Sequence, residues 1–229
     1  HLAASVSTQE SLKNKKKYFV NNVENSIKFF NFIKKFKIQK FIYAASASCY
    51  GNNNDIVDET SSIKCLSPYA ESKWRAEQIL FNLSKLEKIP FLSLRLFNVY
   101  GPNFNLKSEY AGVIGKFIYN SIRKNKLIIY GNGRQTRSFV HVDDVSRAFL
   151  LAAKSRIKNE IFNVGTSSSI SINKLSNFFN NGKIYKSKKK GDIMHSKTSI
   201  KKIKKLLKFN PRSQLKVNIQ KLLNLYKYE

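Results

Sequence analysis

Acidic residues are scarce in this chain: 14 Asp and Glu stand against 42 Lys and Arg in 229 residues, a formal charge of +28. That imbalance disfavours cationic partners and favours anionic ones: nucleic acid, an anionic membrane surface or phosphorylated small molecules. Cysteine is nearly absent. Cys49 and Cys65 fit neither a disulfide framework nor a paired metal motif, so a reducing, cytoplasmic setting is expected. No apolar run approaches the ~18 residues that a membrane-spanning helix needs, and no charged-then-apolar segment of the secretory kind opens the sequence. With 9 glycines and 4 prolines, low-complexity and collagen-like classes are excluded. No internal repeat is present. What remains is a globular composition, 42% apolar, long enough for one large domain or two small ones.

Positive hydropathy patterning points to an α/β fold. Residues 1–10 read as the end of a buried strand and its loop, and 16–36 as a helix with apolar Phe19, Val20, Val23, Ile27, Phe30 and Ile33 on one face. The run 38–48 (IQKFIYAASAS) is apolar without alternation, as in a strand covered on both faces of a parallel sheet. A polar loop spans 52–64. Ser67 and Pro68 then supply an N-cap and a first helical position for a helix predicted to reach about Glu87. A second buried strand is predicted over 89–101, a helix over 111–124, and a strand over 126–133. The segment from Ser138 turns helical in its second half, and 161–165 forms another short strand. The tail carries eleven lysines and one acid between 183 and 208. Ile200, Ile203, Leu206 and Leu207 lie among them, so an amphipathic helix is expected.

The segment SPYAESKWRAEQ carries the chemistry. Tyr69 and Lys73 stand four apart at the start of a helix and share one face. An ammonium and a helix N-terminus both favour phenolate over phenol, which a tyrosine general base needs, its free pKa being about 10. The alternative is a Tyr and a Lys at a common spacing on a solvated face. Ser46 and Ser48, at the end of the first buried strand, come out where open parallel sheets bind ligands. A Ser–Tyr–Lys set in this order is far more specific than YxxxK alone.

The chain resembles the NAD-dependent epimerase/dehydratase family of extended short-chain dehydrogenase/reductases, and within it the UDP-hexose 4-epimerases. Eight blocks carry the resemblance in the family's order: HLAA (1–4), NNVENS (21–26), YAASASCYG (43–51), SPYAESK (67–73), LRLFNVYGP (94–102), YGNGRQTRSFVHVDDV (130–145), IFNVGTS (161–167) and GDIMHSKTSIKKIKKLLKFNP (191–211). It implies a Rossmann-like doubly wound parallel sheet over 1–102 and 138–168 that binds NAD. A smaller α+β unit over 103–137 and 169–229 would bind the nucleotide sugar.

The implied roles follow position by position. Tyr69 would take the sugar hydroxyl proton, Lys73 would bind the nicotinamide ribose and depress the Tyr69 pKa, and Ser46 would bond the reacting hydroxyl. Leu2, Ala3, Ala4, Asn22, Ala44 and Phe97 would line the cofactor site. On the substrate side would stand Ser7, Ser48, Asn98, Val113, Tyr130, Arg137 and Lys189. Each has a plainer reading: Asn98 as a turn cap, Arg137 as a surface cation, Val113 and Tyr130 as core. Lys189 stands where the family has Arg, keeping the charge but losing the two-pronged contact. His141, Asp143 and Asp144 resemble a metal cluster but read as structural, with no metal expected.

Dehydratases of the family carry an Asp-Glu pair after the catalytic Ser/Thr, and decarboxylases a Glu; here Ala47 and Ser48 stand there. That favours a 4-epimerase acting on a UDP-glucose/galactose, UDP-N-acetylhexosamine or uronic acid, with 4,6-dehydratase or decarboxylase as the alternative. SEYAGVI (108–114) and GDIMHS (191–196) lean toward the N-acetylhexosamine or uronic acid subgroup. Nucleotide-sugar metabolism feeding polysaccharide biosynthesis would be the setting. Helices 16–36 and 69–87 correspond to a four-helix dimer interface in similar proteins, so a homodimer is expected. The lysine tail admits a nucleic-acid or other anion-binding role, or an inactive fragment. Against nucleic acid, no aromatics are interleaved with these lysines and no recognition motif appears.

The family's glycine-rich turn, GxxGxxG, occurs nowhere in this sequence, nor does the acid expected beyond it. The reading is of an N-terminally truncated member lacking a quarter to a third of its length. The 229-residue chain alone is therefore predicted not to hold NAD, and calorimetry showing tight NAD binding would contradict that expectation.

Overall fold

The computed structural model describes residues 1–53, 55–103, 105–106, 108, 111–189 and 191–227. Glu109 and Tyr110, within the SEYAGVI block, and Lys190 of the lysine tail lie outside the described residues.

The chain runs through α1 (Thr8–Lys13), α2 (Lys15–Phe19), a π-helical turn (Val20–Glu24), α3 (Asn25–Ile33), β1 (Phe41–Ser46) and a 3₁₀ turn (Ala47–Tyr50). Then come α4 (Pro68–Leu86), β2 (Phe91–Leu96), β3 (Asn98–Tyr100), α5 (Gly112–Ile122), β4 (Leu127–Tyr130), β5 (Thr136–Arg137) and β6 (Phe139–His141). It ends in α6 (Val142–Lys154), β7 (Glu160–Val164), β8 (Ile170–Ser171), α7 (Ile172–Ser176), β9 (Lys183–Lys186), α8 (Lys201–Leu207) and α9 (Leu215–Tyr226).

A parallel sheet ordered β1-β2-β7 organises the first half, with Phe41 beside Phe91 and Leu92 beside Glu160 in register. Both faces are covered, which is why these strands read as apolar runs. Phe41, Tyr43, Ala45 and Phe91 face α3 and α4, packing with Phe30, Ala76 and Leu80. Leu92, Leu94, Phe162 and Val164 face the other way onto Ala148 and Ala152 of α6 and onto Ile203 and Leu207 of α8. A second core gathers Ile114, Phe117, Leu127, Ile129, Leu175 and Leu222 from α5, β4, α7 and α9.

α4 begins as its sequence dictates. Ser67 accepts the Ala70 amide at 3.2 Å and Pro68 takes the first helical position. The 3₁₀ turn after β1 closes at Gly51, whose φ of +60 and whose missing Cβ, which would stand 1.9 Å from the Lys64 carbonyl oxygen, both demand glycine.

Several elements differ from expectation. The 89–101 strand breaks at Phe97, whose amide bonds Val164 O at 3.0 Å while the chain bends so that β3 pairs with β6 instead of the main sheet. The 16–36 helix is interrupted by the π turn, where the Asn22 side chain bonds away from its own helix. The lysine tail opens as a strand, not a helix, because β9 pairs in parallel with β4; the helix is confined to 201–207. Residues 200–209, expected with the second unit, pack into the first core through Ile200, Ile203, Leu207 and Phe209. At the start, the His1 amino group bonds Ile42 O and the Ala44 amide bonds His1 O, so the segment lies along β1 before Ser7 caps α1.

Asp144, 1% exposed, ties α6 to the loop before α9: it accepts the amides of Arg212 at 3.0 Å and Ser213 at 3.1 Å, and Arg147 Nη2 at 2.8 Å. Replacing it removes the acceptor that two amides and Arg147 share, so Asp144→Ala is expected to lose about 1–3 kcal/mol in urea unfolding. A loss below about 0.5 kcal/mol would contradict this role.

Candidate active site

The carboxyl end of β1 delivers Ser46 and the 3₁₀ turn delivers Ser48; their hydroxyls lie 2.8 Å apart. The first turns of α4 bring Tyr69 and Lys73 against them. Ser46 reaches the Tyr69 phenol and eases its ionisation, while the Tyr69 ring meets Tyr18 edge-on at 6.3 Å. Lys73 is 4% exposed, and its ammonium stands 4.2 Å from the centre of the Tyr43 ring. No hydrogen-bond acceptor for Lys73 occurs among the described residues, and Lys73 lines the cleft.

Burial sets the electrostatics. It raises the Tyr69 phenol above the usual tyrosine range, with Ser46 opposing and Cys49 adding to the rise. For this phenol desolvation outweighs the Ser46 contribution. Burial also pulls Lys73 down to about 7, and the Glu77 carboxylate opposes that fall.

These groups line one cleft of about 940 Å³, within the range of small-molecule sites. Leu2, Ala4, Ser7, Ala44, Ser46, Ser48, Tyr69, Lys73 and Phe97 border it, together with Asn98, Val113, Tyr130, Arg137 and Lys189. Two expected residues do not. Ala3 is exposed off the wall. Asn22 is fully buried behind it; its Oδ1 accepts the Ser5 amide at 2.8 Å and its Nδ2 donates to Ser5 O and Ser72 Oγ, each at 3.0 Å. Asn22 thus ties the first segment to α4 and does not line the cleft.

Several wall residues already have partners. Ser7 Oγ accepts the Glu10 amide, Asn98 Nδ2 donates to Ser138 O at 2.9 Å, and Arg137 pairs with Asp192. Burial lowers the Arg137 pKa and Asp192 opposes this. The Lys189 ammonium sits 4.0 Å from the Tyr130 ring centre, a contact the sequence did not announce. Lys116, Gln135 and Asp192 also line the cleft and were not anticipated. His141 caps α6 by accepting the Asp143 amide, and no group of three His, Cys, Asp or Glu side chains able to hold a metal occurs among the described residues.

Beneath the cleft lies an unforeseen buried pair, Glu77 and Arg95. Its signal was legible in principle: an arginine inside an otherwise apolar, doubly covered strand must have a carboxylate partner.

The depressed Lys73 pKa makes a stability statement. An unfolded lysine binds its proton up to a pKa of about 10.4, whereas the folded one releases it near 7, so the unfolded state holds more protons between those values. The cost of burying the charge is complete below about pH 7 and is relieved as pH rises toward about 10. Lys73→Met carries no such cost, so its Tm relative to wild type is expected to be higher at about pH 6 than at about pH 9. Thermal melts at both pH values check this, and a pH-independent difference would contradict it.

Residues 1–165 match the NAD dependent epimerase/dehydratase family. The chain is 35% identical to a putative UDP-glucose 4-epimerase of Methanocaldococcus jannaschii, covering 99% of this chain and 76% of that protein. Its fold superposes on the UDP-glucose 4-epimerase of Thermotoga maritima, solved with UDP-glucose, at a TM-score of 0.95 and 29% identity, covering 100% of this chain and 76% of that one. The UDP-glucuronic acid 4-epimerase of Bacillus cereus, solved with UDP-glucuronic acid and NAD, gives 0.87 and 26%, covering 98% and 74%. With its parallel sheet, its Tyr–Lys helix and these likenesses over nearly its whole length, the chain belongs to the NAD-dependent epimerase/dehydratase family.

Proposed function

We propose that this chain carries the substrate-side chemistry of a UDP-sugar 4-epimerase. The observation that carries the reading is Tyr69, Lys73 and Ser46 converging on one cleft while Ala47 and Ser48 follow Ser46 on the sheet edge. Elimination of water calls for a further acid and base beside the serine, and those positions hold no carboxyl group. Inverting a secondary alcohol requires only a base for its proton and a redox partner for its carbon.

NAD, as the cofactor, supplies a hydride acceptor and donor for the sugar C4. The chemistry of the wall fits its nicotinamide and ribose: Lys73 offers three unspent donors to ribose hydroxyls, and Leu2, Ala4, Ala44 and Phe97 offer apolar surface. Tyr69, as the phenolate, accepts the proton of the C4 hydroxyl and returns it to the 4-keto oxygen from the same atom. Ser46, beside that phenol on the same cleft wall, orients the hydroxyl. Arg137 and Asn98 meet the diphosphate, and Val113 and Tyr130 flank the base. Lys189, seated on Tyr130, adds positive charge at that end.

The division into an NAD-binding unit, 1–102 with 138–168, and a substrate unit is supported by the two separate cores, with 200–209 joined to the first. A homodimer through α3 and α4 is supported by exposed Phe29, Phe32 and Phe36 on and just beyond α3. No helix among the described residues is long and apolar enough to cross a membrane; a cytoplasmic location accords with the free thiols of Cys49 and Cys65.

Incubation of the full-length protein with NAD and a panel of UDP-hexoses, read by proton NMR, tests the assignment. The C4 epimer is the expected product, and Tyr69→Phe should slow its formation about 10²- to 10⁴-fold. A 4-keto-6-deoxy sugar or a decarboxylated pentose as product would overturn it.

A further inference from the structure

Lys73 is a flexible side chain asked to hold one position, and the structure surrounds it with rigid groups. Tyr43 on β1, 0% exposed, presents its ring face to the ammonium, while its own hydroxyl has no partner among the described residues. That ring is therefore not placed to satisfy its phenol. Glu77 lies one helical turn beyond Lys73, on the same face of α4. Its carboxylate accepts Arg95 Nε and Nη2 at 2.6–3.1 Å and Ser93 Oγ at 2.7 Å. Arg95 is in turn held by the Tyr50 hydroxyl at 2.8 Å, which donates to Asn163 Oδ1. A carboxylate with this many partners cannot change rotamer, so its charge is a fixed point.

We propose that the Tyr43 ring and the clamped Glu77 carboxylate form a seat that positions the Lys73 ammonium at the cleft. The proposal rests on reading Lys73 as part of the epimerase site, and it makes Tyr43 and Glu77 positioning residues that act through the lysine. A buried ammonium is pressed to lose its proton; the negative face of an aromatic ring and a fixed carboxylate both resist that loss. Of the titratable groups on its own helix, the Tyr69 phenol lines the cleft with Lys73, while Arg95 on β2 is held by Glu77. Burial pushes the proton off; the seat keeps it on. A lysine held upright in its charged form is ready for ribose hydroxyls without paying rotamer entropy on binding.

The test is an ¹⁵N-lysine NMR titration of the 229-residue chain, with the Lys73 resonance assigned by its loss in Lys73→Met. The wild-type signal should titrate near 7, far from the bulk of the lysines. Tyr43→Leu should shift that midpoint down by about one pH unit, and Tyr43→Phe should restore it, since the ring alone is used. Glu77→Gln should also lower it by about one pH unit or more. Should Glu77→Gln fail to fold because Arg95 loses its partner, the Tyr43 pair decides. Titration of Tyr43→Leu at the wild-type midpoint, or Tyr43→Phe shifting as far as Tyr43→Leu, would overturn the seat. The titration needs neither substrate nor cofactor. If the chain shows the seat yet the full-length protein with NAD turns over no UDP-sugar, the function alone is overturned; turnover without the seat would overturn only this inference.

Discussion

Glu77 and Arg95, at 1% and 3% exposure, form an ion pair between α4 and the middle strand of the sheet. Each charge alone would be costly to bury, and only the close, multiply bonded geometry makes the pair tolerable. That requirement fixes α4 in rotation and height against β2. Because Lys73 and Tyr69 lie one and two turns earlier on the same helix, fixing Glu77 also fixes them. Because β1 pairs with β2 in register, Ser46 and Tyr43 arrive at set distances from them. The candidate site is thus a by-product of one buried electrostatic constraint, extended through a helix face and a strand register.

The chemistry around that constraint is governed by desolvation. The same burial that gives Lys73 and Tyr69 a water-poor environment moves both pKa values toward their neutral forms. Charge must therefore be supplied locally: by Ser46 for the phenol, by Glu77 and the Tyr43 ring for the ammonium. Farther along the cleft the balance reverses. Arg137 and Lys189 gather cationic character where a diphosphate would lie, and Asp192 holds Arg137 in place. The net charge of +28 is spread over many surface lysines and adds a general attraction for anions without marking one patch.

Much of this was legible in the amino-acid order, for physical reasons. Apolar runs without alternation betrayed β1 and β2 because both sheet faces are covered, and Ser67-Pro68 announced α4 because helix starts need a cap and tolerate proline. Ser46, Tyr69 and Lys73 were readable because their spacing is set by a single strand end and a single helix turn. What failed were features decided by distant partners. The break at Phe97 depends on Val164 and on β6; β9 depends on β4; the π turn depends on Asn22 finding Ser5 and Ser72. The same holds for Glu77 with Arg95 and for Lys189 with Tyr130, whose pairing arises only in three dimensions. Asn22 stands inside a family block, yet its amide is spent on protein partners.

The central claim, inversion at C4 by removal and return of the same hydrogen, is most directly tested with a UDP-hexose deuterated at C4, given with NAD to the full-length protein. The account expects the epimeric product to carry deuterium at C4. Migration of the label to C6, or its loss to solvent, would contradict it.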